Sequence, residues 1–388
     1  MKTKLPLWLV LFLLPIAAHA GNWQRIKNTP PLPEIIDLIN GNADLGPGGA
    51  SFPILMTDGS VIIQNAGCCG ADGRIFKLTP DSHGSYINGT WSELATMPYV
   101  SYASAQAVLP DGRVIIEGGE YSNYELDFLL TNQGAIYDPV TDSWTMVTPP
   151  AFFTDLYPPR ATFAPSPIGD SASIVLPDGT YMLADKMSKQ AALLDINTMT
   201  WTETGTSTKS DMNDEEGWTL LPDGTVLTTD CYTDYFFGVA PPPYPSNPTN
   251  SEIYDPASHQ WRSGGSTVNT LTDPILSETG AAMLRPDGTV FAFGSRGYTA
   301  IYDTHTSRWA AGPRLPKSPQ GNQYTAQDAP AALLPNGHVL FAATGGASID
   351  GNYSNPPVAF FEFDGKHLIP EPTVPNARFD ASYSMNLL

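Results

Sequence analysis

One short unit, repeated six times, sets the limits on how this chain can fold. In residues 103–149 it runs as an apolar stretch from Ala105 to Leu109, a Pro110-Asp111-Gly112 turn, and a second apolar run from Val114 to Ile116. Gly118-Gly119 ends that run. A longer loop, a third run (Ala135-Ile136-Tyr137), an Asp138-Pro139 turn and a fourth segment (Trp144 to Val147) complete the unit. Asp-Gly between β-branched runs favours a tight hairpin with a positive φ at Gly112. The hairpin returns as Thr57-Asp58-Gly59, Pro177-Asp178-Gly179, Pro222-Asp223-Gly224, Pro286-Asp287-Gly288 and Pro335-Asn336-Gly337, at spacings of 45 to 67 residues. The second half returns as Ile253-Tyr254-Asp255 with Trp261, Ile301-Tyr302-Asp303 with Trp309, and Leu194-Asp195 with Trp201. The first copy carries Trp91, and the sixth ends in Phe361-Glu362-Phe363-Asp364. Four antiparallel strands in about 45 residues make a sheet too small to bury either face alone, so the copies must pack on one another.

Double glycine, Tyr-Asp and a following Trp at this spacing resemble the kelch repeat, and more specifically the galactose-oxidase-like propellers. The resemblance covers nearly all of the chain after residue 20. It implies an all-β, seven-bladed kelch-type β-propeller with six full blades over about residues 50–370. Trp23 to Ile26 looks like a lone fourth strand that closes the ring, with residues 27–49 crossing to the first blade. Residues 378–388 read as the first strand of a seventh blade that stops before its hairpin. The expectation is a seventh blade incomplete in this chain, hence a fragment or truncated frame; the alternative is a six-bladed ring with decorated ends. The repeating Trp residues start outer strands and are expected to wedge between sheets rather than to stack on sugars.

Residues 1–20 have the form of a signal peptide. Lys2 and Lys4 are followed by an apolar centre from Leu5 to Ala17 and the small-x-small site Ala18-His19-Ala20. The apolar run is too short to span a bilayer. The expectation is a protein secreted or periplasmic after processing, monomeric, with no membrane insertion. The formal net charge of −20 argues against nucleic acid as a partner.

The same resemblance implies a radical copper site, which needs a Tyr-His pair entering an inner strand, a second Tyr, a further His and a Cys joined to a Tyr. Here Ser382-Tyr383 stands where the Tyr-His pair would be. His83, His259, His305, His338 and His367 fall in turns or outer strands, so copper is not expected and no cofactor is assigned. Cys68-Cys69 could close a vicinal disulfide, remain two buried thiols, or pair in part with Cys231.

Acids supply the remaining signal. Asp211-Met212-Asn213-Asp214-Glu215-Glu216-Gly217-Trp218 alternates like a calcium loop, but Glu216 replaces the sharp-turn glycine and no bidentate Glu follows. Alone it reads as a solvated acidic turn. Counting back eight residues from each turn Asp or Asn, however, gives Asp170, Glu215 and Asp328, with Glu216 and Glu278 one residue away. Those positions lie where inner strands enter the ring, so the acids should converge near its axis. Like charges held close need a cation or a basic or polyhydroxyl ligand. The candidate ligand-binding residues are therefore Asp170, Glu215, Glu216, Glu278 and Asp328, with Tyr102 and Trp218 as neighbours, and calcium is the candidate ion. Aromatic insertions (Tyr121, Tyr124 and Phe128; Tyr232, Tyr235, Phe236, Phe237 and Tyr244) should emerge on the same face and suit sugar rings or peptides.

The reading is an exported propeller acting as a binding module for carbohydrate or an extracellular, cell-surface protein partner. The alternative is a carboxylate-based, glycan-active enzyme of galactose-oxidase-like ancestry without copper, and a purely structural surface protein is a third class.

Overall fold

The computed structural model describes residues 23–33, 49–67, 70–120, 130–153, 168–186, 188–205, 208–231, 249–273, 278–345 and 358–373. They form six four-stranded antiparallel sheets, each a simple meander in chain order. Blade one comprises Gly49–Leu55 (β1), Val61–Gly67 (β2), Gly70–Thr79 (β3) and Thr90–Glu93 (β4). Blade two is Ala105–Val108 (β5), Val114–Glu117 (β6), Gly134–Asp138 (β7) and Ser143–Val147 (β8). Blade three is Ser173–Val175 (β9), Tyr181–Ala184 (β10), Ala191–Asp195 (β11) and Thr200–Glu203 (β12). Thr219–Leu220 (β13), Val226–Thr229 (β14), Asn250–Asp255 (β15) and Gln260–Ser266 (β16) form blade four. Blade five is Ala282–Leu284 (β17), Thr289–Phe293 (β18), Thr299–Asp303 (β19) and Arg308–Ala311 (β20). Blade six is Ala331–Leu333 (β21), Val339–Thr344 (β22), Val358–Phe363 (β23) and Leu368–Glu371 (β24). Among the described residues there is no α-helix, and no helix long and apolar enough to cross a membrane.

Blades two to five each pack between two others, which explains why their second strands are buried instead of alternating. All four residues of β6, β10 and β14 are buried. Phe291 of blade five stacks on Phe363 of blade six with ring centroids 3.8 Å apart. Ile115 and Ile136 of blade two share a cluster with Tyr181 and Leu194 of blade three. The hairpins match the sequence reading. Gly112 lies at φ +87°, its N–H bonds Leu109 O at 2.9 Å, and Asp111 accepts the Arg113 N–H. Successive hairpins also nest: a Cβ on Gly179 would stand 3.4 Å from Pro110 Cγ, and one on Gly224 would stand 3.3 Å from Pro177 Cγ.

The repeating Trp residues lie between blades, as expected. Trp144 Nε1 donates to Ala95 O and Trp201 Nε1 to Thr148 O, both at 2.8 Å, each bond reaching the residue run just past the preceding blade's outer strand. Trp261 alone of the five is fully buried. Trp23 to Ile26 joins no ladder as a strand among the described residues. Trp23 Nε1 nonetheless donates to Pro372 O beyond β24, and its ring lies 4.7 Å from Phe360. Residues 1–22, Cys68-Cys69, the aromatic insertions, Ser382-Tyr383 and residues 378–388 lie outside the described residues.

Candidate functional site at the axial mouth

The inner strands of all blades start at one end of the ring, and the second strands finish there. Position eight before the turn therefore meets position seven after the turn glycine, the place of Lys186 in blade three. Backbone bonds tie these entrances together. Gly119 N–H donates to Gly169 O at 2.7 Å, Glu120 N–H to Tyr102 O at 2.8 Å, and Asp328 N–H to Thr279 O at 2.8 Å. The glycine pair is required by this approach: Gly118 sits at φ +74°, and a Cβ there would lie 2.1 Å from Gly169 O. Ala103, Glu215 and Asp328, all eight residues before their turns, adopt φ of +50°, +57° and +52°. That left-handed conformation costs a non-glycine residue about 1–2 kcal/mol, so the inward turn is maintained against its local preference.

Asp170 and Glu215 do meet, and they meet around a lysine. Lys186 Nζ lies 2.5 Å from Asp170 Oδ1, 2.7 Å from Asp214 Oδ1 and 2.7 Å from Glu215 Oε1. Burial opposes the Lys186 charge, but Asp170, Asp214 and Glu215 together outweigh it and hold its pKa well above the ordinary lysine value. Glu120 joins the group: one ligand atom from each of Glu120, Asp170 and Glu215 lies within 4.8 Å of the others. Burial, then the Asp170 charge, pushes Glu120 up to about 8. Burial raises Glu215 well above the carboxylate range, with Lys186 offsetting part of the effect. Across the mouth, burial and then the Asp328 charge push Glu278 up to about 11.

Glu216 goes elsewhere. Its neighbour Glu215 reaches Lys186, whereas Glu216 Oε1 lies 2.6 Å from Lys209 Nζ, which also holds Asp211 at 2.8 Å and Glu252 at 2.9 Å. The Lys209 ammonium lies 5.1 Å from the Trp261 ring. Burial, followed by Asp211, raises the nearby Asp230 to about 7. The stretch 211–216 is thus no solvated turn: Asp211 and Asn213 are 0% exposed and Asp214 is 5% exposed, because two lysines neutralise its acids inside the protein. Tyr102 packs edge-on against Phe52 at 5.1 Å, in a cluster with Ala66 and Ala71, so its ring supports the mouth from within. Trp218 lines an axial cavity of about 430 Å³ with Ser104, Gln106, Ser171 and Ser173 from neighbouring inner strands. Cys231, a buried free thiol, donates to Glu215 O at 3.2 Å.

Lys186, Lys209, Glu120 and Asp214 were not singled out by the acid pattern. The available signal was Lys186 itself, directly after the apolar strand Tyr181–Ala184 and Asp185, at a repeat position that returns to the axis.

Six four-stranded meanders, each restating one repeat, define the architecture of a β-propeller. No family model matches the chain. It is 30% identical over 139 residues to the Kelch-like protein terF of Aspergillus terreus, a match covering 35% of this chain and 26% of that protein. The chain thus spans about a quarter of the length of that curated relative. Among solved structures it resembles a fungal alcohol oxidase of the AA5 family in complex with copper, with a TM-score of 0.54 and 16% identity, over 78% of this chain and 60% of that one. It also resembles virginiamycin B lyase from Staphylococcus aureus, with a TM-score of 0.50 and 10% identity over 84% of both chains. At these identities the structural likeness concerns the fold.

Proposed function

We propose that this chain is an exported binding propeller that takes a carbohydrate at the axial mouth. The observation that carries the reading is the convergence of Asp170 and Glu215 on one ammonium, with Glu278 and Asp328 paired in the same field, beside a cavity of about 430 Å³ walled by serine, glutamine and tryptophan. Strained inward turns at Glu215 and Asp328 support it, since strain of this kind collects at working sites. In the same proposal the ring has seven positions, with Trp23 to Ile26 filling the place of the outer strand between blades six and one. The bonds from Trp23 to Pro372 O and from Trp91 to Asn28 O support that arrangement.

The test is a glycan array probed with wild type and with Glu215→Gln/Asp328→Asn. Saturable binding lost in the double variant, without product formation, supports the module. Product formation that depends on the same acids favours the carboxylate enzyme instead, with Glu278 as proton donor. Absence of binding to every glycan refutes both readings.

A second reading has its own observation. The close ligand atoms of Glu120, Asp170 and Glu215 could hold calcium once Lys186 withdrew. A rise in Tm with calcium over chelator, abolished by Glu120→Gln, would support it.

A further inference from the structure

We propose that Glu117 is a pH-operated pin between blades two and three. Loss of its proton to water releases the Gly118-Gly119 turn, and with it the Glu120 and Asp170 side of the mouth. This device is independent of the carbohydrate reading. Glu117 ends β6, is 0% exposed, and neither of its carboxyl oxygens has a hydrogen-bond partner. Ile115, on the same face of the strand, packs in one cluster with Tyr181 of blade three. The register partners of Glu117 are Ala105 on β5 and Gly134 on β7. Its carboxyl lies over Gly134, where an added Cβ would overlap both oxygens. The repeat itself requires no acid here: the same position, six after the turn Asp or Asn, holds Gln64, Ala184, Thr229, Phe293 and Ala342 in the other blades.

A carboxyl in this place is held as the neutral acid. Tyr181 faces it from β10 and Tyr99 from the segment before β5; burial and then a charge on Glu117 hold both phenols protonated. The Tyr99 hydroxyl donates to Ile116 O at 3.0 Å, and the Tyr181 hydroxyl is buried without a partner. No Lys, Arg or His among the described residues offsets the burial of Glu117, which pushes its pKa well above the carboxylate range. Ionised in place, it would be a buried charge facing two neutral phenols, so the charged form is reached by opening. Its neighbours decide what opens. Gly118 N–H donates to Gln133 O at 2.8 Å, Gly119 N–H to Gly169 O at 2.7 Å, and Thr131 N–H to Gly119 O at 3.0 Å. Ser101 Oγ adds a bond to Gly118 O at 2.9 Å. Glu120 and Asp170 each follow directly on this knot, so withdrawal of Glu117 loosens both acids together. The pin is fully seated below the ordinary glutamate value of roughly 4. As pH rises from there toward the folded value, the open form gains about tenfold per unit.

The experiment is hydrogen exchange of the full chain from about pH 6 to about pH 9, without ligand, corrected for intrinsic exchange and read at residues 117–120 and 168–170. Wild type is compared with Glu117→Gln, which keeps the shape and stays neutral. The ratio of their opening constants at these amides should grow about tenfold per pH unit, a comparison that sets aside the titration of Glu120 and Asp170 common to both. The same amides should exchange faster than those of β18 in blade five, which open only with the whole chain. A ratio that stays constant with pH overturns the titration of Glu117. Equal protection at 117–120 and in β18 overturns the local opening. Should Glu117→Gln fail to fold, Glu120→Gln decides: a tenfold slope that persists without Glu120 supports the pin, and one that vanishes assigns the titration to Glu120 and overturns it.

Discussion

Trp91 donates its indole N–H to the backbone oxygen of Asn28 at 2.9 Å, across 63 residues of sequence. Trp144 makes the corresponding bond to Ala95, just beyond the outer strand of the preceding blade. Residues 23–28 thus present to blade one the same acceptor that a preceding blade presents elsewhere. Lys27 N–H adds a bond to Ile87 O at 2.9 Å.

Trp91→Phe should remove this bond while retaining most of the packing. The expected cost is about 0.5–1.5 kcal/mol. Hydrogen exchange should quicken at residues 23–33 and stay unchanged in blades two to six. Uniform loss of protection across all blades would mean that the segment is not a separate latch.

Lys209→Met should be far more damaging. It strands Asp211, Glu216 and Glu252 in a buried site without their cation, and removing one partner of a buried ion set costs about 3–5 kcal/mol. The defect should lessen at low pH, where the carboxylates take up protons. Denaturant unfolding of wild type and variant at pH 5 and pH 8 reads both effects.

The two lysine clusters also set the pH profile. Glu120 and Asp230 have folded pKa values raised to about 8 and about 7. Such groups contribute stability below their unfolded values of roughly 4, and that stability is lost as pH rises through the folded ones. Tm should therefore fall from about pH 5 to about pH 8. Glu120→Gln with Asp230→Asn should flatten this slope, and an unaltered slope would assign it to other groups.

Two turn glycines allow a matched comparison. Gly59 and Gly224 have φ of +79° and +85°, but a Cβ at Gly59 meets nothing within 4 Å, whereas at Gly224 it meets Pro177. Alanine at Gly59 should cost about 1–2 kcal/mol from backbone strain alone. Alanine at Gly224 should cost more, and the difference in chemical unfolding measures the blade-to-blade contact. Equal costs would show that Pro177 yields freely.

The repeat was legible because each blade restates it: Asp111-Gly112, Tyr137 and Trp144 each report a local requirement of turn, packing or wedge. The acids at Asp170, Glu215 and Asp328 were legible for the same reason, since register within a repeat fixes position on a ring. Lys186 and Lys209 were not. Lys186 just past a strand end and Lys209 in the connection between blades three and four look solvent-bound in sequence, and only the folded chain brings carboxylates to them. Neighbouring Glu215 and Glu216 show the limit most clearly: identical residue types, adjacent in the chain, serve different ammonium groups.

The nested turns have a mechanical corollary. Gly112 rests on Thr57, Gly179 on Pro110 and Gly224 on Pro177, which couples blades one to four; Gly337 rests on Pro286, which couples five and six. Gly288 instead faces His305 of its own blade, and blades four and five are joined further in, by Leu221, Leu227 and Ile253 packing on Val290 and Tyr302. Asp170 and Glu215 lie on one side of that junction, Glu278 and Asp328 on the other. A guest held by both pairs would bridge it and limit relative rocking of the two blades, so occupancy of the mouth would be felt as stiffness at the opposite face.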